Sequence, residues 1–368
     1  MGKLIYLDHG ATSFPKPAPV IRAVNRALHR CANPGRGGYG AAMEASRVLF
    51  RCREGAARLF SCRAEQVVLT TSCTHGLNLA IFSLIKPGDR VVISGFEHNA
   101  VVRPLHALGA DIQVAGRRLF DWEDTLEEFR KALDGGASAA VFTHVSNVFG
   151  YILPVEEMAR MCRERGIPFI LDAAQSAGML EVNMKALGAR FIAMPGHKGL
   201  LGPQGTGLLL CADRAEPLLY GGTGTMSRSL EMPGDLPERL EPGTANVSGA
   251  AGLTAGMAIL EQTGVEPVLR RAHANMERAA ALLAQRGFEV WKGEHQAATV
   301  SFRGKTDCEE AARLLGMAGI ACRAGLHCAP LAHESAGTLE TGTVRLSVGY
   351  GDELGWYGTL ARGMTKLS

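Results

Sequence analysis

Between residues 18 and 215, short apolar runs alternate with longer stretches in which apolar positions recur every third or fourth residue. The runs at 67–70, 91–94, 139–143, 169–172, 191–194 and 207–211 predict strands, and the patterns at 74–84, 101–108, 125–133 and 155–165 predict helices. Alternation of this kind predicts a mostly parallel sheet covered by helices on both faces, an α/β architecture. Ligands of such sheets bind beyond the carboxyl ends of the strands. Residues 213–250 are rich in Gly and Pro and predict an irregular stretch. A helical pattern follows over 248–285, broken near Gly264 to Pro267. Strands near 299–302 and 344–347 and a helix at 308–318 complete a smaller α+β unit. The division expected is a large domain over 16–262 and a small domain built from 1–15 and 263–368.

The chain has 368 residues, 46% apolar and 20% charged, enough to bury a sizeable core. The 45 glycines are scattered without a repeat, which suits tight turns and close backbone approaches around a phosphate site. A net charge of +3 gives no signal for nucleic acid. Nine arginines do fall between Arg22 and Arg63. Arg47, Arg51 and Arg58 share one helical face and Val48, Leu49, Cys52 and Leu59 the other, so these charges read as a solvated face. The nine cysteines contain no CxxC, which points to reduced thiols rather than a disulfide framework or a zinc knuckle, and so to a cytoplasmic protein. No apolar run suits a signal peptide or a membrane span.

Two strand ends carry chemistry. The run Phe169-Ile-Leu ends on Asp172, and the run ending at Met194 leads into Pro195-Gly-His197-Lys198-Gly. A carboxylate and a lysine at neighbouring strand mouths suit pyridoxal 5'-phosphate (PLP). The lysine bonds the cofactor's aldehyde, and the carboxylate keeps the pyridine nitrogen protonated so that the ring can accept electrons. Thr70-Thr-Ser-Cys73-Thr74-His-Gly76 follows a strand and opens a helix, so its backbone N–H groups and Thr74 could cradle a phosphate. A nicotinamide-binding oxidoreductase is disfavoured, because no GxGxxG follows a strand. A non-catalytic sulfur carrier is disfavoured by the intact Lys198 and Asp172.

These residues belong to a longer series: Tyr6-Leu-Asp-His-Gly-Ala-Thr12, Glu97-His98-Asn99, His144-Val-Ser-Asn147, Asp172-Ala-Ala-Gln175, Gly196-His-Lys198, Glu241-Pro-Gly-Thr244-Ala-Asn246 and Arg323-Ala-Gly-Leu-His-Cys328-Ala-Pro. In order and spacing the series resembles the class V aminotransferase-fold enzymes, specifically the cysteine desulfurases and selenocysteine lyases, over nearly the whole chain. The resemblance implies a PLP-dependent aspartate aminotransferase-like fold, with a seven-stranded-type sheet in the large domain. It implies that His98 stacks on the pyridine ring, that Asn147 and Gln175 hydrogen-bond its O3′ side, and that Asp172 pairs with the ring nitrogen. Lys198 would carry the cofactor, with Cys73, Thr74 and His197 close to its phosphate. Thr244 resembles the residue that reaches across a homodimer to the partner's phosphate. Arg345 matches the arginine that clamps the substrate carboxylate, with Asn147 beside it.

Cys328 follows Gly325 on a predicted loop, with Arg323 and His327 as local sources of positive charge or base. Cys52, Cys162, Cys211 and Cys322 read instead as small buried hydrophobes. The activity implied is conversion of L-cysteine to L-alanine, with a persulfide formed on Cys328 and passed to an acceptor. The alternatives are an L-selenocysteine lyase, or a transaminase or epimerase on the same scaffold. Three departures stand out: Thr71-Ser-Cys73 replaces Arg-Gly-Thr, His9-Gly10 replaces Asn-Ala, and Gly221-Gly-Thr223 replaces a triple glycine.

Overall fold

The computed structural model describes residues 4–35, 37–351, 356–365 and 367. Strand β1 (Ile5–Tyr6) precedes two helices, α1 (Ala18–Arg30) and α2 (Gly40–Phe60). The alternating region follows: β2 (Val67–Thr70), α3 (Cys73–Leu84), β3 (Arg90–Ser94), α4 (Asn99–Leu108), β4 (Asp111–Ala115), α5 (Trp122–Asp134), β5 (Ala139–Thr143), α6 (Val155–Glu164), β6 (Phe169–Asp172), α7 (Met184–Leu187), β7 (Phe191–Pro195) and β8 (Gly207–Cys211). Strands β2 to β8 form one seven-stranded sheet in the order β2-β8-β7-β6-β5-β3-β4. Its β4-β3-β5-β6-β7 portion is parallel, and β8 runs antiparallel to both β7 and β2.

Every residue of β5, β6, β7 and β8 is buried, as expected of strands covered on both faces. Alternate residues feed two separate cores. Phe142, Leu171, Ile192 and Leu208 join one, with Phe142 and Phe169 stacked at 5.1 Å. Val141, Ile170, Ala193 and Leu209 join the other, beneath α3 and α4. Strand β4 was not expected from the sequence. Asp111-Ile-Gln-Val-Ala is a short polar and apolar alternation at the sheet edge, only its last residue is fully buried, and it lacks the continuous apolar run of its neighbours.

Helices α8 (Val247–Thr263) and α9 (Val265–Gln285) divide the long helical pattern at Gly264, whose φ of 78° no helix accommodates. Helix α8 packs on α1 and α2. The remaining elements are β9 (Glu289–Trp291), β10 (Thr299–Arg303), α10 (Cys308–Met317), β11 (Ile320–Ala321), β12 (Arg323–Gly325), α11 (Pro330–Ser335), β13 (Thr343–Ser347) and α12 (Tyr357–Met364). An antiparallel sheet runs β12-β13-β10-β9, with its own apolar core under α9, α10 and α12. Strand β1 pairs with β11, and Asp8 bridges to Ser347, so the N-terminal segment is stitched to this second sheet. Among the described residues no helix is long and apolar enough to cross a membrane.

Two buried features fix the strand mouths. Gly178 has a φ of +84°, and a Cβ there would lie 2.4 Å from the Gly199 carbonyl, so this turn packs backbone to backbone against the residue after Lys198. Glu97 is fully buried. Its Oε1 accepts hydrogen bonds from the Ser94 hydroxyl at the end of β3 and from the Thr143 N–H at the end of β5 (2.8 Å). Its Oε2 has no partner among the described residues, and burial pushes the carboxyl up to about 8. Glu97 therefore holds a proton and ties two strand ends together as a neutral group.

Gly178→Ala should cost more than about 1 kcal/mol, from the left-handed backbone and the carbonyl clash together, read as a lower denaturant midpoint. Glu97 binds its proton more tightly folded than unfolded. Its stabilisation is complete below the ordinary carboxylate value of 4.5 and is lost as pH rises through about 8. Glu97→Gln, a neutral isostere of the protonated acid, should remove that decline. Urea midpoints at about pH 5 and about pH 9 would then differ less in the variant than in the parent.

Candidate active site

Asp172 ends β6, with Thr143 of β5 and Ala193 of β7 as its register partners on either side. Its Oδ1 accepts from the Ala174 N–H at 2.8 Å and from the Cys73 thiol at 3.5 Å, which leaves Oδ2 without a partner among the described residues. The side chain is 2% exposed, and burial raises its pKa despite the Ala174 N–H and the nearby Lys198. Cys73 opens α3, and burial beside Asp172 drives its thiol well above the ordinary range. Its side chain is thus committed to the carboxylate, and only its backbone N–H faces the helix start.

Lys198 lies just past the end of β7 on a heavily anchored turn. The His197 carbonyl accepts from Thr12 Oγ1 (3.1 Å), Ser13 Oγ (3.0 Å), the Ser13 N–H (3.0 Å) and Lys16 Nζ (2.7 Å). The half-buried Lys198 amine makes no hydrogen bond or ion pair with any described residue. Burial lowers its pKa; Cys73 and Asp172 oppose that shift, while Arg345 and Arg323 add to it. Burial that disfavours the charged form, with no partner to hold the amine, suits a lysine to nucleophile and base chemistry.

His98 caps α4, with Nδ1 accepting the Ala100 N–H at 3.0 Å, so the ring proton sits on Nε2. Burial, reinforced by Lys198 and Arg323, takes its pKa down to about 4. The ring is therefore neutral at pH 7. His197 is likewise held at about 4 by burial and then Lys198, and its Nδ1 lies 3.1 Å from Thr12 Oγ1. Gln175 Nε2 donates to the Gly10 carbonyl (3.0 Å), and Gln175 shares a cavity with Lys198, His9, Gly10 and Ser13. Thr74 is exposed in the first turn of α3, where Ser72 caps the His75 N–H at 3.1 Å. The first N–H groups of that helix have no intrahelical acceptor and can bind an anion.

Arg345 on β13 is 2% exposed. It donates from Nη2 to Asp8 Oδ1 (2.7 Å) and from Nη1 to the Asn147 carbonyl (2.8 Å), while its Nε is buried without a partner. Burial lowers its pKa and Asp8 opposes the shift. Asn147 itself donates from Nδ2 to the His327 carbonyl at 2.8 Å. Neither the Asp8 pairing nor this bond was legible from the motifs. Thr244 lies apart, exposed in a second cavity with Asn33, Ser46 and the Arg53–Glu241 ion pair (2.5 Å).

Cys328 is exposed, whereas Cys52, Cys162 and Cys211 are buried and Cys322 is half-buried. His327 and Cys328 both have left-handed backbones, with φ of 50° and 58°, a conformation costing a non-glycine residue roughly 1–2 kcal/mol. The Asn99 N–H donates to the Cys328 carbonyl at 2.7 Å, which fastens this turn to the start of α4 beside His98. The expectation that His327 supplies charge or base to the thiol is corrected. Its ring is 5% exposed, Nε2 donates to the Thr343 carbonyl (3.2 Å), and burial, with Arg345 and His333 adding, pulls its pKa to about 2. Arg323 is exposed. Among the described residues no group of three His, Cys, Asp or Glu side chains could hold a metal ion.

The family model for aminotransferase class V matches residues 5–353. A "Probable cysteine desulfurase" of Methanothermobacter thermautotrophicus is 33% identical, over 94% of this chain and 90% of the relative. A protein of the same description from Pyrococcus abyssi is 33% identical over 89% and 85%. The apo structure of the cysteine desulfurase from Thermococcus onnurineus NA1 superposes with a TM-score of 0.89 at 30% identity, covering 99% of this chain and 94% of that one. With the strand-mouth pair Asp172 and Lys198 and the exposed Cys328 in place, the chain belongs to the class V aminotransferases, within the cysteine desulfurase family.

Proposed function

We propose that this protein is a PLP-dependent cysteine desulfurase that forms a persulfide on Cys328. The observation that carries the reading is the attachment of an exposed cysteine turn, through Asn99, to the helix that His98 caps. The residues fit PLP: Asp172 Oδ2 and Lys198 Nζ are polar atoms without partners at adjacent strand mouths, as a ring nitrogen and an aldehyde require. When bound, PLP supplies an electron sink for the Cα–H bond of an amino acid.

The protein's residues would then divide the work. Asp172 Oδ2 would hold the ring nitrogen protonated, and the neutral His98 ring would face the cofactor without competing for charge. Asn147 and Gln175 would serve its O3′ side. The Thr74 hydroxyl, the first N–H groups of α3 and His197 would hold the phosphate. The remaining N–H groups of Arg345 bind the substrate carboxylate. Lys198, short of protons through burial, takes the Cα proton. The Cys328 thiolate attacks the substrate sulfur, an S–S bond forming as the C–S bond breaks with its electron pair returning to carbon. L-Alanine and a Cys328 persulfide result, and the persulfide passes to an acceptor.

The proposed organisation is a large domain over 16–262 and a small domain from 1–15 and 263–368. The free cysteines support a reducing, cytoplasmic setting. Thr244 lies in a cavity that Lys198 does not line, which supports a homodimer in which it serves the partner's phosphate.

Lys198→Ala should lose borohydride-fixable cofactor, and a variant that kept it would overturn the assignment of Lys198. Cys328→Ser should retain the absorbance response to L-cysteine while alanine release and the persulfide fall to background, because a serine hydroxyl is not an ionisable soft nucleophile. Wild-type alanine release by that variant would defeat the proposal; turnover confined to L-selenocysteine would favour the lyase. The dimer is checked by sedimentation, where a fully active monomer would contradict it.

A further inference from the structure

The turn that carries Cys328 is held at more points than a surface loop needs. His327 and Cys328 are consecutive non-glycine residues in the left-handed region, a conformation that persists only where the surroundings over-determine it. Three anchors do so here. The buried His327 ring donates from Nε2 to the Thr343 carbonyl on β13, the His327 carbonyl accepts from Asn147 Nδ2, and the Cys328 carbonyl accepts from the Asn99 N–H. Ala329, fully buried, pins the far side of the turn with an N–H to the Leu326 carbonyl at 2.9 Å.

The ring of His327 cannot serve the thiol. Its proton-bearing nitrogen is spent on Thr343, and its Nδ1 is buried without a partner among the described residues. The charged and titratable groups around it are Arg345 and Arg323 on β13 and β12 and His333 on α11, whose ring lies 5.9 Å away at 25°. None of these can pass it a proton for use at Cys328. What His327 offers is shape. A side chain locked inward and a carbonyl locked to Asn147 leave the next residue facing outward.

We propose that His327 is the positioning residue of Cys328, holding the left-handed turn that presents the thiol by anchoring its ring on Thr343 and its carbonyl on Asn147. This rests on the desulfurase reading given above. The two anchored neighbours tie the turn to the substrate site, since Asn147 also receives Arg345 Nη1. The turn is thus registered against the fork that would grip the substrate carboxylate.

The test compares His327→Ala with His327→Gln in the purified holoenzyme, glutamine retaining a donor that can reach the Thr343 carbonyl. Persulfide formation on Cys328 should fall at least tenfold in the alanine variant through kcat, with KM for L-cysteine unchanged, and recover to within threefold in the glutamine variant. Two further readouts need no turnover. Hydrogen exchange of the peptide spanning 326–329 should quicken in the alanine variant and not in the glutamine one. The pH midpoint of Cys328 alkylation by iodoacetamide should be the same in all three proteins. A midpoint that shifts equally in both variants would make the imidazole a partner of the thiol and overturn the positioning role. Wild-type exchange and persulfide formation in the alanine variant would overturn it as well. If the alanine variant does not fold, Asn147→Ser removes the carbonyl anchor, and unchanged exchange at 326–329 would refute the proposal. Should no protein, including the parent, form a persulfide, the desulfurase reading fails, while exchange and alkylation still decide the role of His327.

Discussion

The arrangement hangs on a guanidinium almost wholly removed from water. A buried arginine must be matched by a carboxylate and by hydrogen-bond acceptors, because an unpaired charge in the interior is costly. Arg345 meets that demand with groups from distant parts of the chain: Asp8 behind β1, and the Asn147 carbonyl beyond β5. Asn147 then reaches the turn before Cys328. The requirement to neutralise one cation therefore brings the N-terminal segment, the large sheet and the small sheet to a single point.

Burial, reinforced by the same crowding of cations, explains the protonation pattern. Lys198, Arg323 and Arg345 act on His98, and Arg323 and Arg345 on His327, in the direction in which burial already pushes them. All three site imidazoles are neutral at pH 7, so none can serve as an acid there. Among the described residues, the acids acting on Lys198 are Cys73 and Asp172, and the Cys73 thiol donates to Asp172.

Much of this was legible in the sequence. The continuous apolar runs gave away β5, β6, β7 and β8 because strands buried on both faces leave no alternation to confuse them with surface strands. Asp172 stood out because a carboxylate ends such a run, and Lys198 because it follows one within a few residues. Strands β9, β11 and β12 did not stand out, being short, nor did β4, which is only partly covered. The pairing of Asp8 with Arg345 spans 337 positions and leaves no local trace. Burial of His327 was equally hidden. Its neighbour Cys328 is exposed, and on a loop of alternating exposure nothing in the residue types says which side chain turns inward.

Strand β4 has one further consequence. It forms one rim of the seven-stranded sheet, and a sheet edge can template the addition of another chain. Asp111 starts that rim, exposed, 3.7 Å from Arg90 and receiving Gln113 Nε2 at 2.7 Å. A passing strand would have to strip water from this cluster to bind, so this rim resists fibre-like growth.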